Sequence, residues 1–378
     1  MKAILYGDLH LESGAHLGDA DPDLGNTRLA DARRALSAIA QEEADVLIFL
    51  GDAARTATPK PTAYRIAQDA LREAKAGAVV LLVGNHDFTG ERSTCVHVIA
   101  EGLPRCRVFG EPQLTKPAGL QLGVLPWTPS SRLFAAAPHD LRRVHQLAAE
   151  SLVAITRGMA SQLDPAKPSL LVGHWLLSGG QLQTGASVIE AREPVLPAAE
   201  LELQGWDAIV FGHNHRHQRA GERSWHCGPP LRGGFGEAEI ETGYMVVEWD
   251  EAGRAHSRFM PIEDRRLLTV DLEGLSWRPP AEDVRDAIVR VRVNCTEREA
   301  EEMRSTGAVD ALVRHLREAG AAKIVGPQWN IERAARERRS DLTVDVDPKR
   351  ALTTWLDAQE IGADLRPLVE SEAGRLMA

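Results

Sequence analysis

Five short stretches of the chain carry side chains that bind divalent cations: Asp8-Leu9-His10, Asp52, Asn85-His86, His174 and His213-Asn214-His215. The candidate ligands are Asp8, His10, Asp52, Asn85, His174, His213 and His215. Seven side chains are too many for one ion, which takes about four to six ligands, but they suit two ions that share a carboxylate. Asp52 is the expected bridge, because it stands alone after the central of three early strands. On this reading Asp8, His10, Asp52 and His215 hold one ion, and Asp52, Asn85, His174 and His213 the other. The mixed nitrogen and oxygen donors point to Mn, Fe, Zn or Co, with Mn2+ fitting a reducing cytosol. All-oxygen Mg or Ca sites have no need of four imidazoles. Two cations about 3.5–4 Å apart lower the pKa of a water between them and draw charge from a phosphate, which is the chemistry of ester hydrolysis. A diester has a poor leaving group, so a nearby proton donor helps. His86 is the candidate, and Asp87 is expected to orient it by accepting its other ring proton.

Each motif alone has an ordinary reading: Asp-x-His arises by chance, Gly-Asp ends many strands, and clustered histidines often face solvent. Their joint occurrence, each after an apolar run, favours the metal site. Residues 2–6, 46–50 and 78–83 read as buried strands ending in Gly-Asp, Gly-Asp and Gly-Asn. Helical patterns over residues 28–42 and 59–76 separate them, and this β-α-β-α-β order argues for a largely parallel α/β sheet. Further strands are expected at residues 120–125, 169–173 and 208–211, the last two ending in Gly-His, with a charged helix near 138–162. Open α/β sheets gather ligands beyond the strand C-termini, where distant residues can meet. Residues 222–227, 242–249 and 254–262 read as edge or antiparallel strands. The run Arg232-Gly233-Gly234-Phe235-Gly236 lacks the lysine and the strand-to-helix context of a phosphate-binding loop, and reads as a flexible turn.

Proline punctuation between 261 and 280 marks a change of domain. A catalytic domain is expected over residues 1–268, a small α+β domain over 269–345 and a helical tail over 346–378. In the second of these, 287–293 alternates like a half-exposed strand, Thr296 and Glu299 form a capping box, a helix follows at 305–319, and a short strand at 322–325.

With 44 Lys and Arg against 54 Asp and Glu, the net charge of −10 excludes a general basic nucleic-acid binder, although bound metal or a local cation patch reverses the field locally. Cys95, Cys106, Cys227 and Cys295 lack C-x-x-C spacing and are expected to pack. No leader peptide and no apolar run of membrane length is visible, so a cytoplasmic protein is expected. His16, His97, His139, His145, His217, His226, His256 and His315 read as packing or surface residues.

The motifs DLH (8–10), GD (51–52), GNHD (84–87), GH (173–174) and GHNH (212–215) resemble those of calcineurin-like metallophosphoesterases. Within that superfamily HLG (16–18), CGPPLRGGFGE (227–237), TGYMVVEW (242–249) and PIEDRRLLTVDLEG (261–274) resemble the SbcD nuclease family, the nuclease subunits of double-strand-break repair complexes. The resemblance implies a two-sheet sandwich flanked by helices, with a small α+β DNA-capping domain and C-terminal helices. It implies two Mn2+ ions on Asp8, His10, Asp52, Asn85, His174, His213 and His215, and matches His86 to the catalytic histidine. It further implies a homodimer, 3′-to-5′ exonuclease and endonuclease activity on DNA, and an SbcC-like coiled-coil ATPase partner reached through the C-terminal helices. The chain departs from relatives after Gly51-Asp52, where Ala-Ala-Arg-Thr replaces a stretch that often holds a further Asp or His. Arg132, Arg142, Arg143, Arg216, Arg219 and Arg223 are candidate phosphate contacts, while Arg333, Arg336, Arg338 and Arg339 serve equally as partners of nearby glutamates. The alternatives are a phosphoesterase for small cyclic nucleotides or phosphoproteins using the same site, and a non-catalytic scaffold.

Overall fold

The computed structural model describes residues 1–12, 17–89, 93–129, 140–179, 193–273, 283–332, 348–357 and 365–376. In chain order the strands up to the first sheet's edge are Lys2–Tyr6 (β1), Ala44–Phe49 (β2), Ala76–Leu82 (β3) and Cys106–Phe109 (β4). Gln113–Thr115 (β5), Gln121–Leu125 (β6), Ser169–Gly173 (β7), Leu176–Leu177 (β8), Val195–Leu196 (β9), Ala208–Phe211 (β10), Gln218–Arg219 (β11) and Ser224–His226 (β12) follow. Gly243–Trp249 (β13), Ala255–Pro261 (β14), Leu267–Glu273 (β15), Ile288–Thr296 (β16) and Lys323–Glu332 (β17) complete the set. The helices that matter to the site are Thr27–Ala40 (α1), Pro61–Glu73 (α2), Cys95–Ala100 (α3), Leu141–Ala160 (α4) and Ala198–Glu202 (α5).

Two six-stranded sheets carry the fold, in the orders β14-β13-β1-β2-β3-β4 and β11-β12-β10-β7-β6-β5. The strands β1 to β4 run parallel, as the β-α-β-α-β order requires. Strand β13 pairs antiparallel with β1 and lies inside the sheet, while β14 forms the edge. The period of two decides the layering. In β1, Ala3 and Leu5 join Val46, Ile48, Val80 and Leu82 against Leu122, Val124, Leu170, Val172 and Val210 of the second sheet. The alternate residues Ile4 and Tyr6 turn the other way, onto Leu29, Leu36 and Ile39 of α1 and Ile66 and Leu71 of α2. The outer face of the second sheet, with Leu125, Leu171, Ile209 and Phe211, is covered by Leu152 and Val153 of α4, Leu201 of α5, and Trp206. The result is the expected α/β sandwich flanked by helices. Gly123 shows how tightly that layer is closed: a Cβ there would stand 2.6 Å from the Trp206 ring.

The chain divides into two compact units, Met1–Val270 with Arg278–Val291 and Asp310–Pro327, and Asp271–Trp277 with Arg292–Val309 and Gln328–Ala378. A three-stranded sheet has the order β15-β16-β17. The capping box is present: the Thr296 hydroxyl accepts from the Glu299 amide, and the Glu299 carboxylate accepts from the Thr296 amide at 2.8 Å. The capping box opens one helix, Glu297–Thr306 (α6), and the helix expected at 305–319 is a separate one after it, Ala308–Glu318 (α7). Gly307, at φ +67°, supplies the left-handed residue that stops the first. The expected short strand at 322–325 is the ten-residue β17. Two further helices, Pro348–Asp357 (α8) and Arg366–Leu376 (α9), belong to the second unit, and the expected 345/346 boundary lies outside the described residues. Among the described residues no helix is long and apolar enough to cross a membrane.

Candidate metal centre

Every candidate ligand follows a strand, and the two sheets present those strand ends to one another. Asp8 and His10 follow β1, Asp52 follows β2, Asn85 and His86 follow β3, His174 follows β7, and His213 and His215 follow β10. Four of them hold left-handed backbone: Asp8 at φ 53°, His10 at 43°, Asp52 at 58° and His213 at 78°. That conformation is costly for residues with a Cβ and persists where the surrounding structure enforces it, as at functional sites. Here hydrogen bonds between strand-end loops do so, two within the first sheet and one across to the second. The Asp8 amide donates to the Gly51 carbonyl (2.9 Å), the His10 amide to the Asp52 carbonyl (3.2 Å), and the His213 amide to both carboxylate oxygens of Asp8 (3.1 Å each).

The donors converge into three groups, each with its ligand atoms within 4.8 Å of one another: Asp8, His10 and His215; His10, Asp52 and His86; and Asp52, His174 and His213. Asp52 joins two of the groups. Its Oδ2 stands 3.6 Å from His10 Nε2 and 3.4 Å from His174 Nε2, while Oδ1 accepts from the His86 amide at 2.9 Å. Asn85 Oδ1 lies 3.0 Å from His174 Nε2, and the Nε2 atoms of His10 and His215 face each other at 2.9 Å. Five of the seven candidate ligands, His10, Asp52, Asn85, His213 and His215, line one cleft of about 380 Å³ together with His86, Arg55 and Glu237, and the buried Asp8 and His174 join the same donor groups. A larger cavity of about 860 Å³ lies against α4, lined by Arg142, His145 and Arg157 among others, but it gathers none of these donor groups.

The electrostatics suit cations. Asp8 and Asp52 are each 1% exposed, and among the described residues their ion partners are imidazoles rather than lysine or arginine. Burial raises the Asp8 pKa against the pull of the surrounding imidazoles. Burial also acts to raise that of Asp52, but His174 and His10 outweigh it and hold this carboxyl below its usual range. Burial disfavours charge on His174, yet the Asp52 carboxylate and then Asp8 overcome that and push it up to about 9. The same burial wins at His10, which is pushed down to about 3 despite Asp52. A buried pair of carboxylates whose counter-charges are histidines is a donor set that divalent ions fit, since an ion displaces imidazole protons and neutralises the carboxylates together.

Second contacts orient the rings. The His174 Nδ1–H donates to the Leu50 carbonyl (2.7 Å), because a carbonyl can only accept, and Nε2 is left to face Asp52. The exposed His86 makes the same kind of bond from Nδ1 to the Arg55 carbonyl (3.0 Å). This corrects the role expected of Asp87, which does not touch the His86 ring. Its carboxylate is fully buried and accepts from the amides of Asp52 (2.8 Å), Ala53 (2.9 Å) and Gly84 (2.9 Å) and from the Cys95 thiol (3.1 Å). It ties the two strand-end loops to each other, and burial beside Asp52 raises its pKa to about 6.

Three residues near the site carried no expectation. Arg55, in the divergent stretch after Asp52, lines the cleft and is held by Glu12 (3.0 Å) and the Gly233 carbonyl (3.1 Å). Glu193 Oε2 meets His213 Nε2 at 2.6 Å, and Glu237 Oε1 meets His215 Nδ1 at 2.7 Å. The glycine-rich run, a turn between β12 and β13 as expected, is also a wall of the cleft. Arg28 anchors it through the Arg232 carbonyl (2.9 Å) and a two-pronged pair with Asp264 (2.5 and 2.7 Å). His217 packs elsewhere, its ring stacked on Phe259 at 3.9 Å. Arg219 and Arg223 bond locally to backbone carbonyls of Gly221 and Glu202. Arg132, Arg333, Arg336, Arg338, Arg339, His16 and His139 lie outside the described residues.

A strand-end cluster of this composition, between two sheets, defines a metal-dependent phosphoesterase. The model of the calcineurin-like phosphoesterase family matches residues 1–217, and the chain belongs to that family. The match encloses all seven candidate ligands and His86, and membership implies hydrolysis of phosphate esters with divalent metal ions. No curated protein matches the chain.

Proposed function

We propose that this phosphoesterase is a nuclease that hydrolyses DNA phosphodiesters with two divalent ions, most consistent with Mn2+. The observation that carries the dinuclear reading is the position of Asp52 Oδ2, between His10 Nε2 at 3.6 Å and His174 Nε2 at 3.4 Å. Asp8, His10 and His215 with Asp52 would hold one ion, and Asn85, His174 and His213 with Asp52 the other. Bound there, the ions supply Lewis acidity, turning water into a nucleophile near neutral pH and drawing charge from the phosphate. The chain's own part is to fix the donors and to place His86. With Nδ1–H spent on the Arg55 carbonyl, the doubly protonated ring of His86 would present Nε2–H as the group that passes a proton to the leaving oxygen or stabilises the charged transition state, becoming neutral as it does so.

The DNA assignment rests on the resemblance to SbcD proteins through residues 261–274 and on the α+β segment that follows the family match. We extend the same reading to 3′-to-5′ exonuclease and endonuclease activity, a homodimer, a cytoplasmic setting, and an SbcC-like coiled-coil ATPase partner. Exposed Trp355, Leu365 and Leu368 beside or within α8 and α9 support a docking role for the C-terminal helices. The test is digestion of end-labelled duplex DNA with Mn2+, with and without the ATPase, beside turnover of a small diester such as bis-p-nitrophenyl phosphate. Manganese-dependent shortening of labelled strands is expected. Turnover of the small diester with DNA left intact would replace the nuclease reading by a small-substrate phosphoesterase.

A further inference from the structure

The two imidazoles of His213-Asn214-His215 are held in opposite senses, and a different carboxylate holds each. His215 uses Nδ1 to meet Glu237 Oε1 at 2.7 Å, and its Nε2 faces His10 Nε2 at 2.9 Å and Asp8 Oδ1 at 4.0 Å. His213 uses Nε2 to meet Glu193 Oε2 at 2.6 Å, which leaves Nδ1 as the nitrogen open to a cation. Neither glutamate joins the donor groups that its histidine joins, so both stand behind the rings rather than among the candidate ligands. Both pairs are largely shielded: the side chains of His213 and Glu193 are 13% and 29% exposed, and those of His215 and Glu237 are 19% and 13%. Glu237 is itself fixed, accepting from the Gly233 amide at 2.6 Å.

We propose that Glu193 and Glu237 are positioning residues that select opposite tautomers of His213 and His215, and so commit the two rings of one short motif to different metal ions. The inference rests on the dinuclear reading above and deepens it. The physical reason is geometric. A neutral imidazole has one donor nitrogen and one acceptor nitrogen, and a carboxylate fixes the donor on its own side. The opposite nitrogen is then available to a cation, and the carboxylate raises its basicity. His213 lies in left-handed backbone at φ 78°, with its amide on Asp8, so the chain turns between the two rings and sends them to different groups. Glu237 thereby serves the group of Asp8 and His10, and Glu193 the group of Asp52 and His174.

The test is titration of the full-length protein with Mn2+, followed by electron paramagnetic resonance of the free ion, for wild type, Glu193→Leu, Glu237→Leu, the double variant, and Glu193→Gln and Glu237→Gln. Each leucine variant is expected to keep one Mn2+ at wild-type affinity and to weaken the other by about 10–100-fold. The double variant should weaken both, since the two carboxylates serve different ions. The glutamine variants keep a carbonyl acceptor and should fall between wild type and leucine. Leucine variants that fold as wild type and bind both ions unchanged would overturn the proposal; should they not fold, glutamine variants with unchanged binding would do so. A double variant that still keeps one tight ion would overturn the division between ions. Wild type that binds fewer than two ions would instead refute the dinuclear reading itself, whatever the variants do.

Discussion

His86 and Asp87 are chain neighbours with unrelated work. His86 is exposed on the cleft, its ring edge-on to His10 at 4.8 Å, and it contributes nothing to the core. His86→Gln should therefore lower turnover by about 10²–10⁴-fold while both Mn2+ ions stay bound. Steady-state rates beside a metal titration check this, and an unchanged rate would remove the histidine from the reaction. Asp87 is the opposite case. Removing its carboxylate strands three backbone amides in a dry interior, and each unsatisfied group costs about 1–3 kcal/mol. Asp87→Ala should lose about 3–5 kcal/mol of stability by urea denaturation, and should lose metal binding along with activity. A variant that is inactive yet as stable as wild type would give Asp87 a chemical role after all.

At the scale of elements, the strand-end loops work because glycine lets them touch. Gly51 sits at φ +104°, with the His174 ring where a Cβ would come within 2.7 Å. Gly84 lies against Asp52: an added Cβ would overlap its carboxylate and stand 2.5 Å from its amide nitrogen. The clash is with backbone as well as side chain, so no rotamer relieves it. Gly84→Ala should abolish binding of at least one Mn2+ and cost about 1–3 kcal/mol. Gly110→Ala, where the nearest contact is an ordinary 3.8 Å to Val83, serves as the control and should change neither. Calorimetric metal titration with thermal melts of both variants distinguishes a local collision from a general intolerance of alanine.

Over the whole molecule, the second sheet's interior makes stability depend on pH through a histidine outside the ligand set. His226 is fully buried, with Nε2 accepting from the Leu177 amide at 3.1 Å, and burial lowers its pKa from 6.5 to about 4. The unfolded chain takes up this proton first as pH falls. The contribution is thus intact above pH 6.5 and is lost progressively down to about 4, where it reaches about 3 kcal/mol. In urea denaturation between pH 7 and 4.5, His226→Gln should show a shallower loss of stability than wild type. Equal slopes would place the acid sensitivity elsewhere.

Much of this was written locally. Apolar runs of strand length, helical stripes between them and a polar donor just after each run are short-range patterns, so strands β1, β2, β3, β7 and β10 and all seven candidate ligands could be read from the chain. Pairing is not a short-range property. That β13 lies beside β1 and that the two sheets face each other follows from which hydrophobic faces find partners. The sequence marks 242–249 as an edge or antiparallel strand; pairing alone decides that it is antiparallel and lies inside the first sheet. The same holds around the ligands. Glu193 and Glu237 lie 20 and 22 residues from the histidines they touch; Glu237 closes the CGPPLRGGFGE segment, but nothing in the spacing ties either carboxylate to its ring. Asp87, placed by adjacency beside His86, instead reaches amides 34 and 35 residues away. The kinds of donor, and hence the class of chemistry, are set by residue type and by position after a strand. Which nitrogen each ring offers, and which carboxylate stands behind it, is decided only when distant loops close over one cleft, because a hydrogen bond depends on distance in space and not along the chain.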